Sequence, residues 1–150
     1  MFDAIAWTPG FSQGALFLVS FLAATVLPLG SEWLLAAMIL QGQDPVGCVL
    51  VATSGNSLGA LTTYAIGLWG GTFFVERVLS IDAERRQKAE RLYERLGSWS
   101  LLLSWVPIVG DPLCLLGGVL RVGLARFVLL VTAGKLARYA AVGYLVYVGI

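Results

Sequence analysis

Four charged side chains stand inside stretches that are otherwise apolar: Glu32, Asp111, Lys135 and Arg138. A lone charge at the centre of a membrane helix costs about 2.5–3.5 kcal/mol or more, so a residue kept there calls for a function. A carboxylate in such a place can bind and release a proton. Beside helix N-termini, whose dipole ends are positive, it can exchange that proton against an anionic headgroup. Asp111 also has a plain structural reading, as the N-cap of an arm over 112–120 with Pro112 at its first position. Glu32 lies next to Ser31, which can cap its own arm. Lys135 and Arg138, three apart, share one helix face. Together the four form a closed charge set, either a structural ion-pair cluster or acids held against bases that reach for a lipid phosphate.

The composition fixes the medium in which these groups act. The 150 residues are 58% hydrophobic and 13% charged, and the mean hydropathy is +0.83. Soluble domains carry roughly 25% charged residues, so the chain reads as an integral membrane protein. The net charge of +1 and the lack of a basic stripe exclude a nucleic-acid partner. His is absent, which removes imidazole catalysis and most metal sites. No metal or cofactor is called for, and Cys48 and Cys114 show no paired spacing. The N-terminus has no Lys or Arg ahead of its apolar run, unlike a cleavable signal peptide.

Four apolar stretches, about 14–40, 46–75, 99–120 and 127–150, supply the elements. A spanning helix needs roughly 20 apolar residues. The second and fourth provide them without a proline. The first is broken at Pro28, Gly30 and Glu32, the third at Pro107, Gly110, Asp111 and Pro112. Between them, 75–98 is charged, with Ile81, Ala89, Leu92, Tyr93 and Leu96 at helical spacing and Glu84–Lys88 as an i, i+4 pair. It reads as an amphipathic surface helix ended by Gly97-Ser98. Gly55 and Gly59 are spaced for close helix packing. Asn56 beside them either bonds a break or glues two helices. Tyr64 reads as packing; Trp7, Trp69 and Trp99 fit interfacial belts.

All ten Lys and Arg follow residue 76. Basic loops favour the cytoplasm. Four simple crossings would put 77–95 and 121–126 on opposite sides. If 99–120 enters and returns instead, both loops are cytoplasmic, Arg121 and Arg126 anchor to headgroups, and 14–40 enters and returns from the outer face. A half-helix of about ten residues rises roughly 15 Å, half of a core about 30 Å thick. Such tips survive only when covered, by each other or by a second copy in a homodimer. The halves also resemble each other: Gly30 pairs with Gly110, Ser31 with Asp111, Trp33 with Leu113 and Ala37 with Gly117. Gly55-Asn56 pairs with Gly134-Lys135. The expected fold is all-α and integral to the membrane: two opposed re-entrant helical hairpins, two transmembrane helices and an amphipathic surface helix, arranged as an inverted repeat. It is a single membrane domain over 1–150: one hairpin-plus-helix over 14–75, the cytoplasmic helix over 76–98, and a second hairpin-plus-helix over 99–150. In that plan substrate binds near the midplane, where the repeats meet.

Three segments carry a resemblance: "PLGSEWLLAA" (28–37), "GNSLGALTTYAIGLWGG" (55–71) and "WVPIVGDPLCLLGGVLRVGLARF" (105–127). They resemble the DedA superfamily, also called SNARE-associated or VTT-domain proteins, and within it the short bacterial YqaA-type branch. The resemblance implies a bacterial inner-membrane location, two opposed re-entrant hairpins, and proton-coupled movement of phospholipid or lipid-linked phosphate. The better-known branch carries an Arg three residues before the hairpin proline and another three after it. Here Ser104 and Gly110 stand there, while the acid Glu32 matches.

The expected activity is therefore transport of a lipid with a phosphate headgroup, with Glu32, Asp111, Asn56, Lys135 and Arg138 at the substrate or proton site. The alternative is a scaffold or envelope-homeostasis factor that transports nothing. An enzyme is not expected, because the chain has no His and no Ser nucleophile with a base partner. Topology is the first test. Gln43→Cys is expected to label from outside the cell and Gly123→Cys from the cytoplasm with a membrane-impermeant thiol reagent. Cytoplasmic labelling at position 43 rules out the double hairpin.

Overall fold

A computed structural model describes residues 9–25, 30–78, 83–106 and 109–149. Pro28, Pro107, Trp7 and Ile81 lie outside the described residues. Among the described residues, six α-helices form: α1 (Pro9–Ala23), α2 (Glu32–Leu40), α3 (Pro45–Val78), α4 (Ala83–Leu96), α5 (Gly110–Val119) and α6 (Leu124–Val148). A 3₁₀ helix, Gly97–Trp105, precedes α5. The described residues contain no strand. Among the described residues, two helices are long and apolar enough to cross a membrane, Pro45–Gly70 within α3 and Leu124–Val148.

The broken stretches fold as two short segments each, α1 with α2 and the 3₁₀ helix with α5. Three boundaries differ from the sequence reading. The helix expected to end at 75 runs on to Val78, and the amphipathic helix spans Ala83–Leu96 rather than 76–98. No breaker interrupts α3 before 79, while Gly97 ends α4 at φ +60. α5 begins at Gly110, not Pro112. Its N-cap is Val109, with no side-chain cap bond, so Asp111 does not cap the helix.

The 3₁₀ conformation of 97–105 is also a departure from the expected half-helix. Such runs rarely exceed three or four residues. Here the Ser100 hydroxyl closes its first turn on the Gly97 carbonyl at 2.7 Å, and Leu101 and Ser104 are buried by packing on α5 and α6.

The links into the two long helices share one construction. At the end of α2, the Gln43 and Gly42 amides bond back to the Met38 and Ile39 carbonyls, with Gly42 at φ +87. At the end of α5, Val122 and Arg121 do the same to Gly117 and Gly118, with Arg121 at φ +55. Both are Schellman turns. Shifting by 79 carries Gly42 to Arg121 and the first residue of α3, Pro45, to the first of α6, Leu124. Asp44 caps α3 through the Gly47 amide at 2.8 Å, with Pro45 at the first helical position. The register of the short arms is therefore 79, not 80: Glu32, not Ser31, corresponds to Asp111.

The same shift relates the two cores. One holds Leu34, Leu35, Cys48, Ala52 and Tyr139; the other holds Leu113, Cys114, Phe127, Val131 and Ala60. α3 starts in the first core and reaches the second at Ala60 and Tyr64. α6 starts in the second and reaches the first at Tyr139. The two long helices thus run antiparallel. α4 packs Ala89, Leu92 and Tyr93 on the second core.

Glycines bring the short arms against the long helices. A Cβ on Gly55 would stand 2.4 Å from the Phe17 carbonyl oxygen, and one on Gly134 2.4 Å from that of Leu102. On Gly118 it would meet the Tyr64 carbonyl at 2.0 Å, whereas on Gly123 it would meet nothing within 4 Å. Overpacking a core costs about 1–3 kcal/mol. Gly118→Val is expected to lower the melting temperature of the detergent-solubilised protein through loss of the α3–α5 contact, and Gly123→Ala to leave it unchanged. Equal melting of the two variants contradicts this packing.

Candidate functional site

Asn56 and Lys135 are each the twelfth residue of their helix. That places both about 16 Å from the helix start, near the middle of a core about 30 Å thick. They meet: the Lys135 ammonium donates to the Asn56 side-chain oxygen. Lys135 is 4% exposed and Asn56 9%. Positions related by the shift of 79 therefore touch, joining α3 to α6.

The rest follows from what each group can donate. An ammonium has only donors, so Asn56 turns its oxygen to Lys135 and keeps its amide hydrogens for other partners. These go to the Ser20 carbonyl in α1 at 3.2 Å and to the Tyr139 hydroxyl at 3.0 Å. Tyr139, accepting there, also shares a hydrogen bond with the Ser31 hydroxyl at 2.6 Å. Ser31 precedes α2 and is fully buried. The chain Lys135–Asn56–Tyr139–Ser31 thus links both long helices to the break between α1 and α2.

Arg138 makes the second connection. One guanidinium nitrogen pairs with Glu32 at 2.6 Å, and another donates to the Trp105 carbonyl at 2.8 Å. Glu32 opens α2, and Trp105 closes the 3₁₀ helix. One side chain from α6 therefore holds the edges of both breaks. Gly30 makes room for this pair, since a Cβ there would lie 1.8 Å from a Glu32 carboxylate oxygen. At Gly110 a Cβ would lie 2.1 Å from the Ser104 carbonyl oxygen. The two positions that hold arginine in the better-known branch are thus a closed backbone contact and a buried serine, and a guanidinium arrives from α6 instead.

The expected four-charge set is half formed. Glu32 and Arg138 pair, but Lys135 bonds an amide, and Asp111 is exposed with no hydrogen bond or ion pair among the described residues. Counted with the shift of 79 that carries Glu32 to Asp111, Arg138 answers to Gly59, which has no side chain and on which a Cβ would stand 2.5 Å from the Phe21 carbonyl oxygen. The charges of Lys135, Arg85 and Arg138 still act on Asp111 through space. Pro112 is buried in the first turn of α5. Arg121 and Arg126 are exposed; Arg126 donates to Ser98 at 3.3 Å, tying the start of α6 to the start of the 3₁₀ helix. Tyr64, expected only to pack, also donates to the Val122 carbonyl at 2.5 Å and lies 4.4 Å from the Phe127 ring.

Sequence reasoning missed Tyr139 and the carbonyls of Ser20 and Trp105. The signal for Tyr139 was its place four residues after Lys135, on the same helix face. Carbonyls leave no mark in a sequence. Among the described residues, no three of Cys, Asp and Glu gather as metal ligands.

The VTT domain matches residues 27–148. The inner membrane protein YqaA of Escherichia coli is 45% identical over 129 residues, covering 85% of this chain and 86% of that protein. The YqaA of Shigella flexneri gives the same values. An uncharacterized protein of Haemophilus influenzae is 38% identical over 138 residues, 87% of this chain and 84% of that one. No solved structure matches the chain.

Glu32→Gln, Arg138→Gln and the double variant test the clamp by thermal unfolding in detergent. Directly paired groups couple by about 0.5–3 kcal/mol. The double variant is expected to lose less stability than the two single losses combined. Strict additivity contradicts the pair.

Proposed function

The chain belongs to the VTT-domain family, the DedA superfamily, and on that premise we propose that it moves a lipid with a phosphate headgroup across the bilayer. It is an all-helical protein of the bacterial inner membrane, with two helices able to span it. In the proposed arrangement the two broken stretches are re-entrant hairpins from opposite faces, and the halves form an inverted repeat. The shared shift of 79, the antiparallel course of α3 and α6 and the paired cores support this reading. Alternating access then consists of one half rocking against the other about the Asn56–Lys135 crossing.

The observation that carries the proposal is the Arg138 clamp, because it brings the edges of both breaks to one cation at mid-helix. A phosphate arriving there meets cations and the N-terminal ends of α2 and α5, which favour anions. Charge balance suggests the coupling. With Glu32 and Asp111 ionised, the two acids cancel Lys135 and Arg138. A proton on either acid leaves one positive charge, which an anionic headgroup neutralises. Loss of the proton on the far side restores the balance and releases the lipid. Arg121 and Arg126 flank the start of α6, where exposed guanidiniums hold headgroups at the interface.

The test uses the purified protein in vesicles of phosphatidylethanolamine and phosphatidylglycerol, with a headgroup-labelled lipid quenched from outside. Wild type is expected to expose inner-leaflet label, faster as the pH falls. The double variant Glu32→Gln, Asp111→Asn is expected to lose that pH dependence. An unchanged pH dependence removes the coupling and leaves transport standing. A folded wild type that moves no lipid supports the scaffold reading instead.

A further inference from the structure

A guanidinium and a carboxylate fit best fork to fork, two nitrogens on two oxygens. Arg138 and Glu32 do not meet that way. The Arg138 fork is split: Nη2 meets Glu32 Oε1 at 2.6 Å, while Nη1 donates to the Trp105 carbonyl at 2.8 Å. The other carboxylate oxygen, Oε2, is folded back over Gly30, where a Cβ would stand 1.8 Å from it. The pair is also left partly open, with 29% of the Arg138 side chain and 23% of the Glu32 side chain exposed. Arg138 is the fifteenth residue of α6, about 21 Å from the helix start. A charge exposed at that depth faces hydrocarbon unless a polar group covers it. The open edge of the guanidinium therefore asks for a polar partner that the chain does not supply.

We propose that Glu32 is a tethered rival of the ligand. Its carboxylate occupies the place on Arg138 that a phosphate oxyanion takes, Gly30 supplies the space that lets it sit there, and the ligand enters by displacing it. With Nη1 committed to Trp105, the edge left for an anion is Nη2 with Nε. Glu32 meets Nη2 with one oxygen, whereas a phosphate has oxygens enough to span both nitrogens. The rival thus sets a threshold. A halide, which engages one point, gains nothing over Oε1, and an oxyanion does. Displacement leaves two contacts standing, Nη1 on the Trp105 carbonyl and Tyr139 on Ser31, so both breaks keep a hold on α6 while the anion enters. Glu32 is thus a specificity-determining residue, and Gly30 the residue that seats it. A lipid headgroup and free phosphate share this chemistry. The exchange rests on the transport reading for its purpose, but the rivalry itself does not.

Two variants separate the seat from the charge. Glu32→Gln removes the negative charge. Gly30→Ala removes none, and its new methyl meets the far end of a flexible side chain, so it evicts the carboxylate without disturbing the helices. The full-length protein in detergent is titrated at fixed ionic strength, with inorganic phosphate in one arm and phosphatidylglycerol in the other, and read by native mass spectrometry. The apparent Kd is expected to fall about tenfold in Glu32→Gln and about threefold in Gly30→Ala, within the coupling range of directly paired groups. Arg138→Gln is expected to lose this binding, and adding Glu32→Gln to it should not restore it. The arm that shows this ranking names the source of the phosphate. Equal constants for wild type and Glu32→Gln in both arms overturn the proposal. Weaker binding by Glu32→Gln makes the carboxylate part of the ligand site and overturns it too. Tighter binding by Glu32→Gln, with Gly30→Ala like wild type, reduces Glu32 to background charge and overturns the seat. Lipid movement is read separately in vesicles. The expected ranking with no lipid movement by folded wild type keeps the rivalry and removes the transport reading. Lipid movement with equal constants does the reverse.

Discussion

A polar group in hydrocarbon has to find its partner inside the protein, and here that requirement falls on very few residues. Breaking two apolar stretches leaves backbone carbonyls and amides that need partners inside the protein. Arg138, Tyr139 and Asn56 answer that need from the two long helices. Arg138 takes a carbonyl at one break and a carboxylate at the other. Tyr139 takes the serine ahead of α2, and Asn56 takes a carbonyl of α1. Because Asn56 and Lys135 bond each other, the satisfaction of all these groups depends on one crossing of α3 with α6. The close glycine contacts serve the same end, since side-chain bonds of this length require the helix backbones to approach.

The likeness of the halves is greatest in backbone construction and least in charge. Turn geometry, helix starts and core positions match under one shift. The polar residues do not: Asn56 answers to Lys135, Gly59 to Arg138 and Ala60 to Tyr139. Lys135, Arg138 and Tyr139 all belong to the second half, and the asparagine, glutamate and serine they hold belong to the first.

Much of this was legible in the sequence because membrane folding leaves coarse marks. Length and hydropathy gave the two long helices; proline, glycine and a carboxylate marked the breaks; and helical spacing gave α4 its buried face at Ala89, Leu92 and Tyr93. The pairing of Asn56 with Lys135 was also legible, although not that the two touch. The register of the short arms was off by one because it was anchored on glycines rather than on the spacing from proline to acid, which is four at both breaks. That Lys135 bonds Asn56 and Arg138 bonds Glu32, leaving Asp111 out, was hidden, because tertiary packing decides which groups the helices bring together. The 3₁₀ helix was hidden too, since Leu, Trp and Ser at 98–105 suit an α-helix equally well and tertiary packing decides between them.

That 3₁₀ helix has a mechanical side. A 3₁₀ helix rises about 2.0 Å per residue and an α-helix about 1.5 Å, so nine residues span about 18 Å in the first form and about 13 Å in the second. Rewinding this arm would draw back its tip by about 4–5 Å, and the start of α5 with it, because the Gly110 amide bonds the Val106 carbonyl. The second arm pair therefore carries an adjustable strut, whereas α1, already fully wound, has a fixed length.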